Sequence, residues 1–469
     1  MCRKKVFDDP NNAPFPEEEL DALKELVHEN ILRQYGFVSK DGKGVVAICS
    51  ALIGNPQSLD ISVQSILDRT PKNMDQYHQV SLERLNIACE TIISWFYQVA
   101  MALQYMHDKN FYHMDIKPAN ILLQITGNTG IPIITDMGSC INPDKRKNRR
   151  AHFTWAYAHP ELTDIPNRPG SLEGGGARAS ADINDYTRLP NYDLYALGKT
   201  IQQILAVVEN HFGEMSFSNY SFRYMHIISA LLLDGRNSLD QLQKRENISE
   251  RHKIKFVADF PMGINQKVFD EKKISSAKDL VERLKRHRND YSISALAEEF
   301  GSRNPLIVNN TIGEMVPFSK RVAKVFNYPT VKRLNDELQL GIITDIYPGA
   351  SHNRWSHSVG VYSLVLKYYI SLLSDPDNPL LRIIINKADI DHAIIAAILH
   401  DLGQTAFCHD LEAANNNFFN HVSFIKDLVN ENSFSSETLS ETINKKENSS
   451  WGKINFDRVI SIINGEPDD

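Results

Sequence analysis

The sequence predicts an α+β unit, with a small sheet-containing lobe ahead of a helical lobe, followed by an all-α unit. Three observations predict it. Two strand-like runs, "YGFVS" and "GVVAIC", lie close together behind a helical stretch at 17–28. From residue 90 onward helical patterns dominate, broken by two short apolar runs of strand length. Beyond about residue 300 the pattern shifts to helices that carry His352, His357, His400, His409 and His421 beside apolar runs. A chain of 469 residues, 42% of them hydrophobic, has room for two or three domains with ordinary cores.

Each element has its own signal. In "EEELDALKELVH" (17–28), Leu20, Leu23 and Leu26 recur at helical spacing, and acids in the first turn suit the helix dipole. The stretch "ETIISWFYQVAMALQYMHDKN" (90–110) is apolar nearly all round, which predicts a buried helix. Next, "HMDIKPANILL" (113–123) sets Asp115, Lys117 and Asn120 at i, i+2 and i+5, directly before the strand-like Ile121, Leu122 and Leu123. A polar turn pinned against a buried strand is suited to hold a base and a metal ligand rigidly. A second short strand, in "IPIITDMGSC" (131–140), ends in Asp136-Met137-Gly138. The basic loop "DKRKNRR" (144–150) leads into "FTWAYAHPEL" (153–162), and a Gly/Ser/Pro-rich stretch at 165–185 reads as a mobile insertion. Its triple glycine follows no strand and opens no clear helix, so it does not read as a phosphate loop. Helical pattern returns in "YDLYALGKTIQQILAVVE" and in "DLVERLKRHRNDYS" (279–292).

Bulk properties narrow the function classes. A net charge of −7 and a pI near 6.2 argue against a general nucleic-acid binder. Five cysteines without a CxxC pair read as reduced thiols in a cytosolic protein. No charged-then-apolar leader opens the chain, and the most apolar later run, "AIIAAIL" (393–399), is far too short to span a bilayer. The expectation is a soluble, cytoplasmic protein with no membrane partner.

The order H-M-D-I-K-P-A-N, D-M-G, H-P-E resembles the eukaryotic-type Ser/Thr protein kinase family, whose signatures include H-R-D-L-x-x-x-N, D-F-G and A-P-E. The resemblance covers residues 1–290 and implies a kinase-like fold, ATP and Mg²⁺ as cofactors, and a protein substrate, the chain itself included. It implies Asp115 as base for the acceptor hydroxyl, Lys117 as a γ-phosphate contact, and Asn120 and Asp136 as Mg²⁺ ligands. Metal ions are needed because the transition state spreads negative charge over equatorial oxygens. By the same resemblance Thr154 braces the catalytic loop, Glu161 pairs with a late arginine such as Arg236, and Asp193 anchors the loop from below. "CRKKVF" resembles the strand of the ATP-orienting lysine, which selects Lys5, and the helix at 17–27 offers Glu19 as its partner. Met114 stands where many kinases carry an arginine that clamps an activation-loop phosphate, so activation by loop phosphorylation is not expected. Met137 replaces the Phe of D-F-G, an apolar exchange. Only four residues precede Lys5, so the glycine-rich loop is expected upstream of Met1.

The second half resembles HD-domain phosphohydrolases, and among them deoxynucleoside triphosphate triphosphohydrolases. "YPGASHNRWSHSVGVY" is close to their PGASHxRxxHSLGVY type of segment, and "LHDLGQTAFCH" to LHDLGxxxFxH. Covering roughly 300–469, this resemblance implies an HD-type all-α domain in which His357, His400 and Asp401 bind a divalent metal. Such a mixed N/O set suits Mn, Fe, Ni or Mg rather than sulfur-bound zinc, and a metal that lowers the pKa of water would drive attack on phosphorus. Arg354 and His409 would contact phosphates or aid proton transfer, His421 would line the pocket, and Arg333 would orient substrate phosphate. Gln404 stands where triphosphohydrolases often have histidine. The family's fourth ligand, in a D-x-D-R-x-D-Y type segment, is expected beyond Asp469, because Asp468 and Asp469 sit at a chain end and substitute poorly.

Three readings follow. The first is a bifunctional protein that combines the kinase with a hydrolase acting on a nucleotide or dNTP. In the second, a kinase-like nucleotide sensor regulates the hydrolase. In the third, the chain is a non-enzymatic scaffold. All are compatible with an oligomer.

Overall fold

A computed structural model of the chain describes residues 2–6, 22, 24–39, 45–51, 57–68, 78–126, 129–145, 150–163, 178–183, 185–233, 272–287, 293–301, 306–309, 315–340, 346–347, 351–375, 379–404, 421–432, 435–445 and 451–466. Glu19, His409, Arg236, Asp468 and Asp469 lie outside the described residues. The chain divides into two compact units, Met1–Asn289 with Pro376–Ile383 and Asp290–Asp375 with Ile384–Asp469.

In the first unit, β1 (Cys2–Val6), β2 (Gln34–Ser39) and β3 (Val45–Ala51) form an antiparallel sheet in the order β1-β3-β2, with Lys5 in register with Ile48. After β4 (Gln57–Ser58) come helices α1 (Leu59–Asp68) and α2 (His78–Asp108). α2 begins twelve residues ahead of the apolar stretch that predicts it. Leu85, Ala88 and Cys89 continue the buried stripe of Ile92, Phe96, Val99 and Leu103, but the intervening Glu83 and Arg84 mask it in the sequence. β5 (Ile121–Thr126) and β6 (Thr129–Ile134) pair antiparallel, Ile121 opposite Ile134, with β4 on the outer edge of β5.

The stretch read as a mobile insertion contributes a strand. β8 (Arg178–Asp182) pairs antiparallel with β7 (Arg150–Thr154). Ala179 and Ala181 pack against the cluster of Tyr112, Met114, Ile141, Phe153 and Tyr192. Methyl groups suffice for that contact, which is why the segment shows no hydrophobic alternation of ordinary strength.

Helices α3 (Leu189–Phe212), α4 (Tyr220–Leu232) and α5 (Ala277–Lys285) follow in this unit. Asn219 and Ser276 cap α4 and α5 by accepting from the Phe222 and Asp279 amides. α3 and α4 approach closely at Gly198, where an added Cβ would lie 2.9 Å from Leu232 Cβ and 3.0 Å from the Leu233 side chain.

The second unit opens with an antiparallel pair, β9 (Leu306–Asn309) and β10 (Met315–Phe318), and is otherwise helical among the described residues. Its longer described helices are α6 (Lys320–Phe326), α7 (Arg354–Leu373), α8 (Lys387–Leu399), α9 (His421–Asn430), α10 (Leu439–Asn444) and α11 (Phe456–Asn464). α8 forms its centre, with Ile390, Ile394, Ile395, Ile398 and Leu399 all buried. A capping box between Asn386 and Asp389 starts the helix. Asp391, one turn in, is fully buried and paired with Arg321, whose guanidinium also holds Glu299 and lies 3.7 Å from the Trp451 ring centroid. Among the described residues, no helix is long and apolar enough to cross a membrane.

The α3–α4 contact gives a stability test. Alanine in place of Gly198 gains about 1 kcal/mol of helix propensity, but the crowding against two leucines costs about 1–3 kcal/mol. Gly198→Ala should therefore lower the thermal unfolding midpoint of the first unit. A midpoint above that of the wild type would show that the two helices part without cost.

Candidate active sites

The first site is built on a bent loop. α2 ends at Asp108, and Asn110, with φ 62°, turns the chain. Tyr112 then exchanges backbone hydrogen bonds of 2.9 and 2.8 Å with Ile141. Met114 is buried with φ 67°, a left-handed conformation that costs a non-glycine residue roughly 1–2 kcal/mol. Asp193, on α3 and fully buried, compensates: its carboxylate accepts from the His113 amide at 2.8 Å and the Met114 amide at 2.7 Å. His107 Nε2 lies 3.0 Å from the same carboxylate. The His113 ring is fixed as well. Its Nε2 donates to Thr135 O at 3.0 Å, so Nδ1 accepts from the Asp115 amide at 3.2 Å.

On this frame Asp115, Lys117 and Asn120 come together. Asp115 Oδ1 accepts from the Thr154 amide at 2.8 Å, and Oδ2 accepts from Lys117 Nζ at 2.7 Å. Lys117 Nζ also donates to Thr154 Oγ1 at 2.6 Å. Asn120 Nδ2 donates to Asp115 O at 2.8 Å and to its Oδ2 at 3.2 Å. With the amide nitrogen so engaged, Oδ1 is the Asn120 atom turned to a ligand, as a metal-binding role requires. Thr135 bonds to the Asn120 carbonyl through N at 2.9 Å and Oγ1 at 3.1 Å, which places the next residue, Asp136, beside the group. Asp136 has φ 61° and ψ 71°, and its carboxylate is 31% exposed, open to a ligand. Lys5 lies on β1. Glu161 pairs with Arg188 and receives the Tyr192 hydroxyl at 3.4 Å.

The second site lies where two helix ends meet. His357 stands in the first turn of α7, behind an Asn353 cap, and His400 and Asp401 directly follow α8. One donor atom from each of these three residues lies within 4.8 Å of the others. His400 Nδ1 donates to Ala397 O at 2.9 Å, which leaves the Nε2 lone pair facing Asp401 Oδ1 at 3.6 Å. Burial lowers the His357 pKa against the opposing pull of Asp401, favouring the neutral imidazole a metal requires. The donor set thus fits a divalent ion. Arg354 is fully buried and donates from Nη1 to Asp401 Oδ2 at 3.1 Å. Arg333 donates to Leu402 O at 2.7 Å and pairs with Glu337, whose carboxyl pKa is raised by burial. Gln404 is buried, with its amide 3.0 Å from Asp401 O. His421 opens α9, and its carbonyl presses on Gly403 so closely that a Cβ there would lie 1.9 Å away.

Sequence reasoning missed Glu337 and the Arg321–Glu299–Asp391 network, since pairing across many residues has no local signature. The glycine of the "HDLG" run is the one sequence trace of the His421 contact.

The model of the protein kinase domain family matches residues 2–288, and that of the HD domain matches residues 354–467. The chain belongs to the protein kinase family and carries an HD domain after its kinase domain. Among its relatives, an Aurora kinase of Saccharomyces cerevisiae is 31% identical over 149 residues, 31% of this chain and 34% of that protein. The serine/threonine-protein kinase ppk34 of Schizosaccharomyces pombe is 31% identical over 148 residues, 31% of this chain and 36% of that protein. The deoxynucleoside triphosphate triphosphohydrolase SAMHD1 of Bos taurus is 34% identical over 103 residues, 22% of this chain and 17% of that protein. The chain thus spans about a third of the length of the kinases it matches and about a sixth of that of the hydrolase.

Gly403→Ala tests the geometry of the second site. A Cβ cannot fit at 1.9 Å from a carbonyl oxygen, so α9 or the 400–403 turn must move. The variant should lose divalent metal by about 10–100-fold in affinity, read by elemental analysis after dialysis. Wild-type metal content would separate the turn from the ligand geometry.

Proposed function

We propose that the chain is a bifunctional enzyme, a Ser/Thr-type protein kinase over residues 1–290 and an HD metal-dependent nucleotide phosphohydrolase over 300–469. The observation that carries the kinase reading is the closed set of bonds among Asp115, Lys117, Asn120 and Thr154. Asp115, held on both oxygens, presents its carboxylate to the acceptor hydroxyl and takes up its proton as transfer proceeds. Lys117, already 2.7 Å from that carboxylate, supplies positive charge for the transferred phosphoryl group. Asn120 and Asp136 would hold Mg²⁺, which when bound neutralises charge on the phosphates of ATP. The name of ppk34, a serine/threonine-protein kinase, supports a serine or threonine acceptor.

In the HD domain, His357, His400 and Asp401 would hold the divalent ion, which when bound activates water toward phosphorus. Arg354, buried against Asp401, holds that carboxylate in orientation. The name of the bovine relative supports deoxynucleoside triphosphates as the substrate class.

Two tests address the two halves. Asp115→Asn and Asp136→Asn should each lower phosphoryl transfer from Mg·ATP to the chain itself or a generic protein by about 10²-fold or more. Equal rates in all three proteins would remove the kinase activity from this reading. For the hydrolase, His357→Ala and Asp401→Ala should abolish bound metal and dNTP turnover while leaving kinase activity intact, because separate domains have separate cores. A protein that carries no divalent metal and turns over no nucleotide would reduce the HD domain to a binding module.

A further inference from the structure

The β7–β8 pair brings one more cation to the first site. In that ladder Arg178 lies opposite Thr154. Thr154 is the residue that touches both Asp115, through its amide at 2.8 Å, and Lys117, through its hydroxyl at 2.6 Å. Directly paired residues in an antiparallel ladder have Cα atoms about 4.5–5.5 Å apart, so the backbone of Arg178 is held next to the loop that carries the base. From there its side chain reaches Asp136, with Nη2 3.6 Å from Oδ2. That separation is an ion pair without a hydrogen bond. The Arg178 side chain is 77% exposed, so charge rather than packing holds it there. Such a contact is exchanged at little cost for a better anion.

We propose that Arg178 binds the γ-phosphate of the nucleotide held at Asp115, Asn120 and Asp136, and so selects a nucleoside triphosphate over a diphosphate. This rests on the kinase reading of the site. Once Asp136 engages a divalent ion its charge is shared, and Arg178 loses its present partner. A terminal phosphate offers about two negative charges at neutral pH, in a geometry that the planar guanidinium matches with paired N–H donors. A diphosphate lacks the γ-phosphate, and Arg178 then gains no partner at that position. Position supports the same role. Lys117 and Arg178 both meet Thr154, one through its side chain and one across the ladder, so the two cations flank the space between Asp115 and Asp136.

The test is isothermal titration of the full chain with a non-hydrolysable ATP analogue and with ADP, each with Mg²⁺. Arg178→Ala should weaken the analogue about tenfold or more and leave ADP affinity unchanged, and Arg178→Lys should recover part of the loss. Unchanged ADP binding also shows that the variant is folded. Unchanged analogue affinity, equal weakening of both nucleotides, or tighter analogue binding would each overturn the proposal while leaving the kinase reading in place. A wild-type chain that binds neither nucleotide would overturn both.

Discussion

The fully buried carboxylate of Asp193, reaching from α3 into the loop at 113–120, accepts from the amides of His113 and Met114 and meets the His107 ring at 3.0 Å. Without donors a buried carboxylate costs several kcal/mol; with them it can hold a strained turn. The strained residue is Met114, and its conformation sends an apolar side chain into the cluster of Ile141, Phe153 and Tyr192. Phe153 belongs to β7, and β7 ends at Thr154, which bonds back to Asp115 and Lys117. A single circuit therefore runs from α3 through the loop, the cluster and β7 to the base. The apolar cluster at Met114 secures the segment around β7 by packing.

The second unit is fixed from the opposite end of its central helix. Asp391 near the start of α8 is locked by Arg321, Lys387 and the Gly452 amide, and Arg321 is shared with Glu299. Removing one partner of such a buried set leaves an uncompensated charge, at a cost of about 3–5 kcal/mol. The helix is thereby tied to α6 through Arg321 and to the 451–452 segment through the Gly452 amide. Its far end then projects His400 and Asp401 from a defined position. The backbone bond from His400 Nδ1 to Ala397 O sets the ring, and Gly403 admits α9 against the turn.

Legibility in the sequence follows distance along the chain. Asp115, Lys117 and Asn120 fall within six residues, and His400 and Asp401 are adjacent, so residue order alone groups them. The strands β2, β3, β5 and β6 and the core of α2 are legible from apolar pattern. What is not legible comes from pairing at long range. Arg178 reaches Asp136 only because β8 pairs with β7 across a stretch whose composition reads as irregular. Arg321 lies 22 residues from Glu299 and 70 from Asp391, and ordinary surface charges would look the same in sequence. The kinase resemblance pairs Glu161 with a later arginine such as Arg236, whereas among the described residues it meets Arg188 on the adjoining turn.

Both sites handle their carboxylates in the same physical way. Asp115 gives one oxygen to the Thr154 amide and the other to Lys117 and Asn120. Asp401 gives Oδ2 to the buried Arg354 and turns Oδ1 toward His400 Nε2. In each case a neighbouring cation pairs with one carboxylate oxygen at hydrogen-bond distance. Hydrogen bonds from fixed backbone or buried side chains then set its direction before any ligand arrives, so little reorganisation remains for the reaction itself. The two cations differ in how they are held. Arg354 is buried and cannot leave Asp401 without exposing an unpaired charge, so it orients and stays. Lys117 is 15% exposed and bonded to a hydroxyl as well as a carboxylate, so it can shift without losing all its partners. Depth of burial thus separates the cation locked to its carboxylate from the one with room to shift.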